Sequence, residues 1–259
     1  MGIALALLAT GVVAGILGAL LGLGGGIFLV PALTLFFHLP IHAAVGTSLV
    51  GVIATSAGVA AIAPRGRGAD VPLALRLEVL TAAGAIGGGL LAGVISTQVL
   101  SVLFALVVFF TAGYLMYKAR HRANANVPER MFYTNYELHH WPTGMAVSSL
   151  AGMISGLLGV GGGFIKVPVI YAIMGAPLGV ATATSNFMVG ITAAASVFVY
   201  YGRGDIHPLV VIPTALGVFA GAMVGVYVLP RLRVAWIRLG LVGLLVVMGV
   251  QMLVRGLTH

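Results

Sequence analysis

The residues best equipped for chemistry in this chain are one lysine, two runs of glycine and a few neutral donors, all in apolar surroundings. Lys166 lies in Gly159-Val160-Gly161-Gly162-Gly163-Phe164-Ile165-Lys166-Val167-Pro168. The pattern also stands earlier as Gly22-Leu23-Gly24-Gly25-Gly26-Ile27-Phe28-Leu29-Val30-Pro31, with Leu29 in the lysine's place. Four glycines in five residues break a helix, since each costs roughly 1 kcal/mol against alanine. Where such a run opens a new helix, its N–H groups are free and the helix dipole adds about half a positive charge. That is an anion site without a fixed cation, and the missing Cβ lets a ligand come close. Gly24, Gly25, Gly26, Gly161, Gly162 and Gly163 are the first candidates for such binding. The competing use of these glycines is close helix crossing.

Thr47-Ser48 and Thr184-Ser185-Asn186 supply hydroxyl and amide donors at matching places downstream. Asn186 stands where the first copy has Leu49, so the copies are not equivalent. Helix–helix hydrogen bonding explains these residues equally well. Lys166 has two functional readings: a counter-charge for an anion, or a titrating group that couples transport to protons. Its bland reading is snorkelling to an interface. Arg76 and Glu78 are two apart, do not face each other on a helix, and read as interfacial. Arg238 reads as snorkelling. His38 and His42 flank Pro40, with pH gating as their functional use and a solvated loop as the favoured reading; His139-His140 read the same way.

Several chemistries are excluded. The chain has no cysteine, so disulfides and thiolate metal sites are out. Gly22-x-Gly24 lacks the preceding strand and the spacing of a dinucleotide fingerprint. The repeated motifs hold no acidic residue, and the serines and histidines are scattered. No catalytic residue, metal or cofactor is expected.

The elements that must position these residues are membrane helices. The 259 residues are 60% hydrophobic and 7% charged, against about 25% charged in soluble domains. The net charge is +8, and in a membrane protein such an excess marks cytoplasmic loops rather than nucleic-acid binding. Met1–Leu21 has no basic n-region and reads as part of the mature fold. The glycine motifs repeat at an offset of 137, which also maps Gly15 to Gly152, Pro40 to Pro177 and Ala44 to Ala181. This is a duplication of half the chain: a first half at 1–117, a basic cytoplasmic linker at 118–140 and a second half at 141–259. Segments of spanning length fall at 2–21, 42–62, 73–95, 98–117, 143–158, 179–200, 206–228 and 234–254, with short apolar pieces at 27–37 and 164–174. The expected fold is an all-α polytopic membrane protein. Each half has about four helical segments, the first broken by the glycine motif. The linker's end, Met131-Phe132-Tyr133 to Trp141, is aromatic and suits the lipid interface. Gly84, Gly87, Gly88, Gly89, Gly93, Gly217, Gly221 and Gly225 read as helix-packing faces and are compatible with a homodimer.

Two topologies fit the charges. If each broken segment crosses once, the halves are parallel. If each is a re-entrant hairpin, the halves are inverted. The basic residues divide eight to two in both, with the linker cytoplasmic. The N-terminus is cytoplasmic in the first and external in the second. Helix N-termini converging from opposite sides on a central site favour the inverted arrangement.

Paired Gly-Leu-Gly-Gly-Gly and Gly-Val-Gly-Gly-Gly motifs, each followed by a proline (Pro31, Pro168), are joined downstream by Ala44-Val45-Gly46-Thr47-Ser48 and Ala181-Thr182-Ala183-Thr184-Ser185-Asn186. Over residues 2–255 this pattern resembles the TauE/SafE sulfite exporter family. The resemblance implies an inner-membrane, multi-pass secondary transporter exporting sulfite or an organosulfonate such as sulfoacetate. A passive anion channel on the same scaffold is the alternative.

Overall fold

The structure is a computed structural model describing residues 2–22, 24–62, 69–122, 136–228 and 234–258. Its elements are helical: α1 (Gly2–Leu21), α2 (Gly26–Phe36), α3 (Ile41–Ile62), α4 (Val71–Ala92), α5 (Thr97–Arg122), α6 (Trp141–Leu158), α7 (Gly163–Pro168), α8 (Leu178–Gly202), α9 (Pro208–Val228) and α10 (Val234–Thr258). α7 runs on as a π-helical turn, Val169–Ile173. Pro168 has no N–H to continue the α-helical ladder, and the turn widens just past it. Seven of these helices are long and apolar enough to cross a membrane, making this a multi-pass membrane protein. The expected segments match helices to within about five residues, but the segment 143–158, expected to be of spanning length, forms α6 and is not among these seven.

Glycine and proline set the boundaries. Asp70 caps α4 by accepting the Leu73 N–H at 3.0 Å, with Pro72 in the first turn. Gly159 ends α6 in the left-handed region, its N–H returning to the Ser155 carbonyl at 2.8 Å.

Close backbone contacts fix the helix neighbours. A methyl group at Gly11 or Gly15 would strike the Thr214 or Val218 carbonyl, so α1 and α9 run parallel in intimate contact. The same packing joins α4 to α6, where Gly152 and Gly156 lie against the Thr81 and Ala85 carbonyls. Gly84, Gly88, Gly217 and Gly221 are engaged in these two interfaces from the other side. Lipid gives helices no hydrophobic drive to associate, so backbone proximity through small residues supplies the contact.

α3 and α8 cross at the centre in opposite directions. Ser56 bonds the Asn186 carbonyl at 2.7 Å near one end, and Gly46 lies beside Tyr200 and Asp205 near the other. α5 and α10 are also antiparallel, with Gly249 on Val108 and Phe109 and Gly256 on Gln98 and Val102. The chain turns back after α1, so that Gly25, the N-cap of α2, lies on the Ala14 carbonyl and against Gly18. Buried side chains of α2, α3, α5, α8 and α10 form the main core around this crossing.

Candidate functional site

The glycine breaks are backbone devices. Gly22, Gly24 and Gly25 have φ of 68°, 78° and 78°; Gly159, Gly161 and Gly162 have 71°, 82° and 70°. Side chains with a Cβ rarely adopt this region, and glycine enters it freely. Gly25 and Gly162 are the N-caps of α2 and α7 and offer no side chain to the amides that follow. The first backward hydrogen bonds come from Phe28 and Leu29 to Gly25, and from Ile165 and Lys166 to Gly162. The amides of Gly26, Ile27, Gly163 and Phe164 precede those bonds, as at any helix start.

The two breaks meet. A Cβ at Gly26 would collide with the Gly159 carbonyl oxygen. Ser48 ties both breaks together, donating to Gly159 O at 2.8 Å and approaching Gly26 O at 3.4 Å. Thr55 donates to Gly24 O at 3.0 Å. The first break is therefore held by α3 hydroxyls.

The second break is held differently. Ser185, the repeat partner of Ser48, is fully buried and has no hydrogen-bond partner among the described residues. Ser155 is in the same condition, and its Cβ lies 3.3 Å from where a Gly162 Cβ would stand. Thr184 accepts the Asp70 N–H at 2.9 Å, which commits it to the α4 cap. Thr47 is buried. Asn186 is half-buried, and its side-chain oxygen lies near Gly22.

Lys166 is fully buried and does not snorkel. Its Nζ donates to Thr192 Oγ1 at 2.5 Å, and Thr192 donates to Glu78 Oε1 at 2.5 Å. Nζ stands 3.6 Å from Glu78 Oε2. Glu78, read from sequence as interfacial, is only 4% exposed. The correction is one of azimuth. Glu78 shares the inward face of α4 with buried Thr81, Ala85 and Gly88, a three-to-four spacing that was the available signal. Arg76, two residues earlier, faces away and lies 5.5 Å from the Trp141 ring centre.

The remaining candidates lie elsewhere. His38 is exposed, with φ of 54°. His42 is not solvated as expected; its Nε2 is 2.9 Å from the Ala92 carbonyl. His139 is exposed and bonds the Glu137 carbonyl. His140 is exposed and adopts φ of 52° as the N-cap of α6. The Arg238 side chain and most of the linker, including Met131–Tyr133, lie outside the described residues. Tyr136 closes the linker onto α4, its hydroxyl donating to Asp70 Oδ2 at 2.5 Å. Burial, then that bond, pushes the phenol's pKa up and keeps it a donor. An open cavity of about 560 Å³ lies apart from the breaks, between the far end of α2 and α10, lined by Phe36, His38, Gln251 and Arg255 among others.

A family model described as "Sulfite exporter TauE/SafE" matches residues 7–252. The chain belongs to the TauE/SafE family. Two Bacillus subtilis proteins in the comparison are named probable membrane transporter proteins. YunE is 25% identical over 97% of both chains. YdhB is 26% identical over 82% of this chain and 84% of its own. A probable membrane transporter protein of Methanocaldococcus jannaschii is 24% identical over 95% of this chain and 94% of its own. No solved structure matches. The TauE/SafE match spans both glycine breaks and the Lys166–Thr192–Glu78 group, and the protein is a membrane transporter.

Proposed function

We propose that this TauE/SafE protein is a secondary transporter that exports a small sulfur-containing anion, sulfite or an organosulfonate such as sulfoacetate, across the cell inner membrane. Transport proceeds by alternating access around the paired glycine breaks. The observation that carries this reading is the uneven state of the two breaks. The hydroxyls at the first are spent on backbone carbonyls, whereas Ser155 beside Gly162, and Ser185, the repeat partner of Ser48, are buried without hydrogen-bond partners among the described residues. Buried polar groups are nearly always hydrogen-bonded, so such hydroxyls are open to a ligand, an ion or a water. Two hydroxyls, the leading amides of α7 and the Lys166 ammonium together suit the oxygens of a sulfonate or sulfite. Gly24, Gly25, Gly26, Thr47 and Ser48 form the framework that opposes this site, and Gly161, Gly162, Gly163, Lys166, Ser155 and Ser185 line it. Asn186 and Thr184 border it on α8.

The halves form an inverted repeat, with α1–α2 and α6–α7 as re-entrant hairpins. Antiparallel pairing of the equivalent helices α3 and α8, and of α5 and α10, supports this. So does the turn of the chain back onto α1 at Gly25.

Thermal stabilisation of the purified protein tests the substrate class with sulfite, sulfoacetate, taurine, thiosulfate, sulfate and acetate. A ligand at a hundred times its Kd stabilises the native state by about 2.7 kcal/mol. Sulfite or a sulfonate should raise the melting temperature and acetate should not. A flat response across all six removes the sulfur-anion assignment. Saturable counterflow in vesicles separates a carrier from a channel.

A further inference from the structure

Glu78 is the half of the buried Glu78–Lys166 pair that the anion site leaves unused, and the geometry of the pair is not that of a tight salt bridge. Nζ and Oε2 are 3.6 Å apart, beyond hydrogen-bond length, and Thr192 mediates the contact on the other oxygen. Oε2 has no hydrogen-bond donor among the described residues. Lys166 has three N–H donors, and Thr192 is its one hydrogen-bond partner among the described residues. The pair is neutral in sum, buried, and only half made.

A monovalent anion arriving at Lys166 would leave one uncompensated negative charge within the bilayer. Such a charge is costly there. The site stays neutral if Glu78 takes up a proton from water as the anion takes its place beside the ammonium. Carboxylate plus proton gives carboxylic acid, and ammonium plus anion remains a pair.

Thr192 is built to accept both states. Its hydroxyl has two acceptors within reach, Glu78 Oε1 and its own helix's Met188 carbonyl at 2.8 Å. It donates to the carboxylate in the first state. When Glu78 is protonated, the acid donates to Thr192, and the threonine turns its proton to Met188. Among the described residues, no other titratable side chain is recorded against Glu78. α7 contributes Lys166 and α8 contributes Thr192. α6 contributes serines and holds no titratable residue between Trp141 and Leu158. On α4 itself Arg76 is turned to Trp141, and Tyr136 is held at Asp70, two turns away.

We propose that Glu78 is the proton-binding residue of the carrier and that Lys166 exchanges its carboxylate for the transported anion, with one proton bound per monovalent anion. This rests on the anion-carrier reading above and adds the coupling to it. Anion efflux down its own gradient then carries protons out and is electroneutral.

The test uses purified full-length protein in liposomes with a trapped pH dye and outward gradients of isethionate and of sulfoacetate. Both are fully ionised near neutrality and bring no proton of their own. The wild type should export isethionate with one proton per anion, at a rate unmoved by a potassium–valinomycin potential. Glu78→Gln, purified with isethionate present, should move the anion without proton movement, at a rate that is voltage-dependent and flat between pH 6 and 8. Thr192→Val, which keeps both charges, should slow coupled flux at least tenfold, and Thr192→Ser should restore it. If the wild type exports neither of these anions nor sulfite, the carrier reading falls and this inference falls with it. If the wild type exports isethionate with no proton, or Glu78→Gln still moves protons, the coupling alone is overturned. Should Glu78→Gln fail to fold, the wild-type proton-to-anion ratio decides: one sustains the inference and zero ends it.

Discussion

Lys166 announces itself in the sequence because a charge inside an apolar run has few explanations. Glu78 does not, because it lies only a few residues inside its segment, where a carboxylate usually reaches water. A sequence gives depth along a helix more readily than direction around it, and direction put Glu78 opposite Lys166. The pairing alters what a lysine variant should do. With no partner in view, Lys166→Met is a clean loss of function with the fold intact. With Glu78 beside it, the variant strands a buried carboxylate, and breaking a buried pair from one side typically costs about 3–5 kcal/mol. Lys166→Met should therefore be strongly destabilised and inactive. Glu78→Gln combined with Lys166→Met should recover most of the lost stability while remaining inactive. Chemical denaturation in detergent, alongside anion flux, checks both halves. Equal stability of the single and double variants would mean that the pair is not coupled.

At the level of elements, the helices were legible to within about five residues at their ends. Runs of apolar residues cut by Gly-Gly-Gly, by Pro40 and Pro177, and by Asp70-Val71-Pro72 leave little freedom in where helices stop. The mutual contact of the two breaks was not legible, because it depends on how α3 carries Ser48 across to Gly159. Nor was the π-helical turn after Pro168, since Pro31 at the equivalent place is followed by ordinary α-helix. Gly26 sits where the contact is tightest. Gly26→Ala should drive the breaks apart, at about 1–3 kcal/mol for a methyl forced into packed surroundings, and should depress transport more than stability. Gly87→Ala is the control. A Cβ there meets nothing within 4 Å, and α4 gains a better helix former. Its melting temperature should hold or rise slightly, with transport unchanged. Similar flux in the two alanine variants would remove the break-to-break contact from the mechanism.

For the whole molecule, charge alone could not choose between parallel and inverted halves, because moving Arg203 and Arg255 against Arg231 and Arg233 leaves the balance at eight to two. Helix direction favours the inverted arrangement proposed above. α3 and α8 occupy equivalent places in the two halves and run oppositely, as α5 and α10 do. A rotation about an axis along the membrane normal would leave equivalent helices pointing the same way; only an axis in the membrane plane reverses them. Under the inverted arrangement proposed above, with the basic linker inside, α1–α2 would begin and end outside, and residues near both ends of the chain and the α8–α9 turn would be external. The chain has no cysteine, so single cysteines report sidedness without background. Ile3→Cys, Gly204→Cys and Leu257→Cys should react with a membrane-impermeant maleimide on intact cells. Glu137→Cys, beside the linker, should react only after permeabilisation. Ile3, Gly204 and Leu257 all discriminate, since parallel halves would place them in the cytoplasm, whereas Glu137 lies there in both arrangements. Protection of Ile3→Cys in intact cells, with full labelling once they are opened, would return the halves to a parallel arrangement and dissolve the central two-fold site.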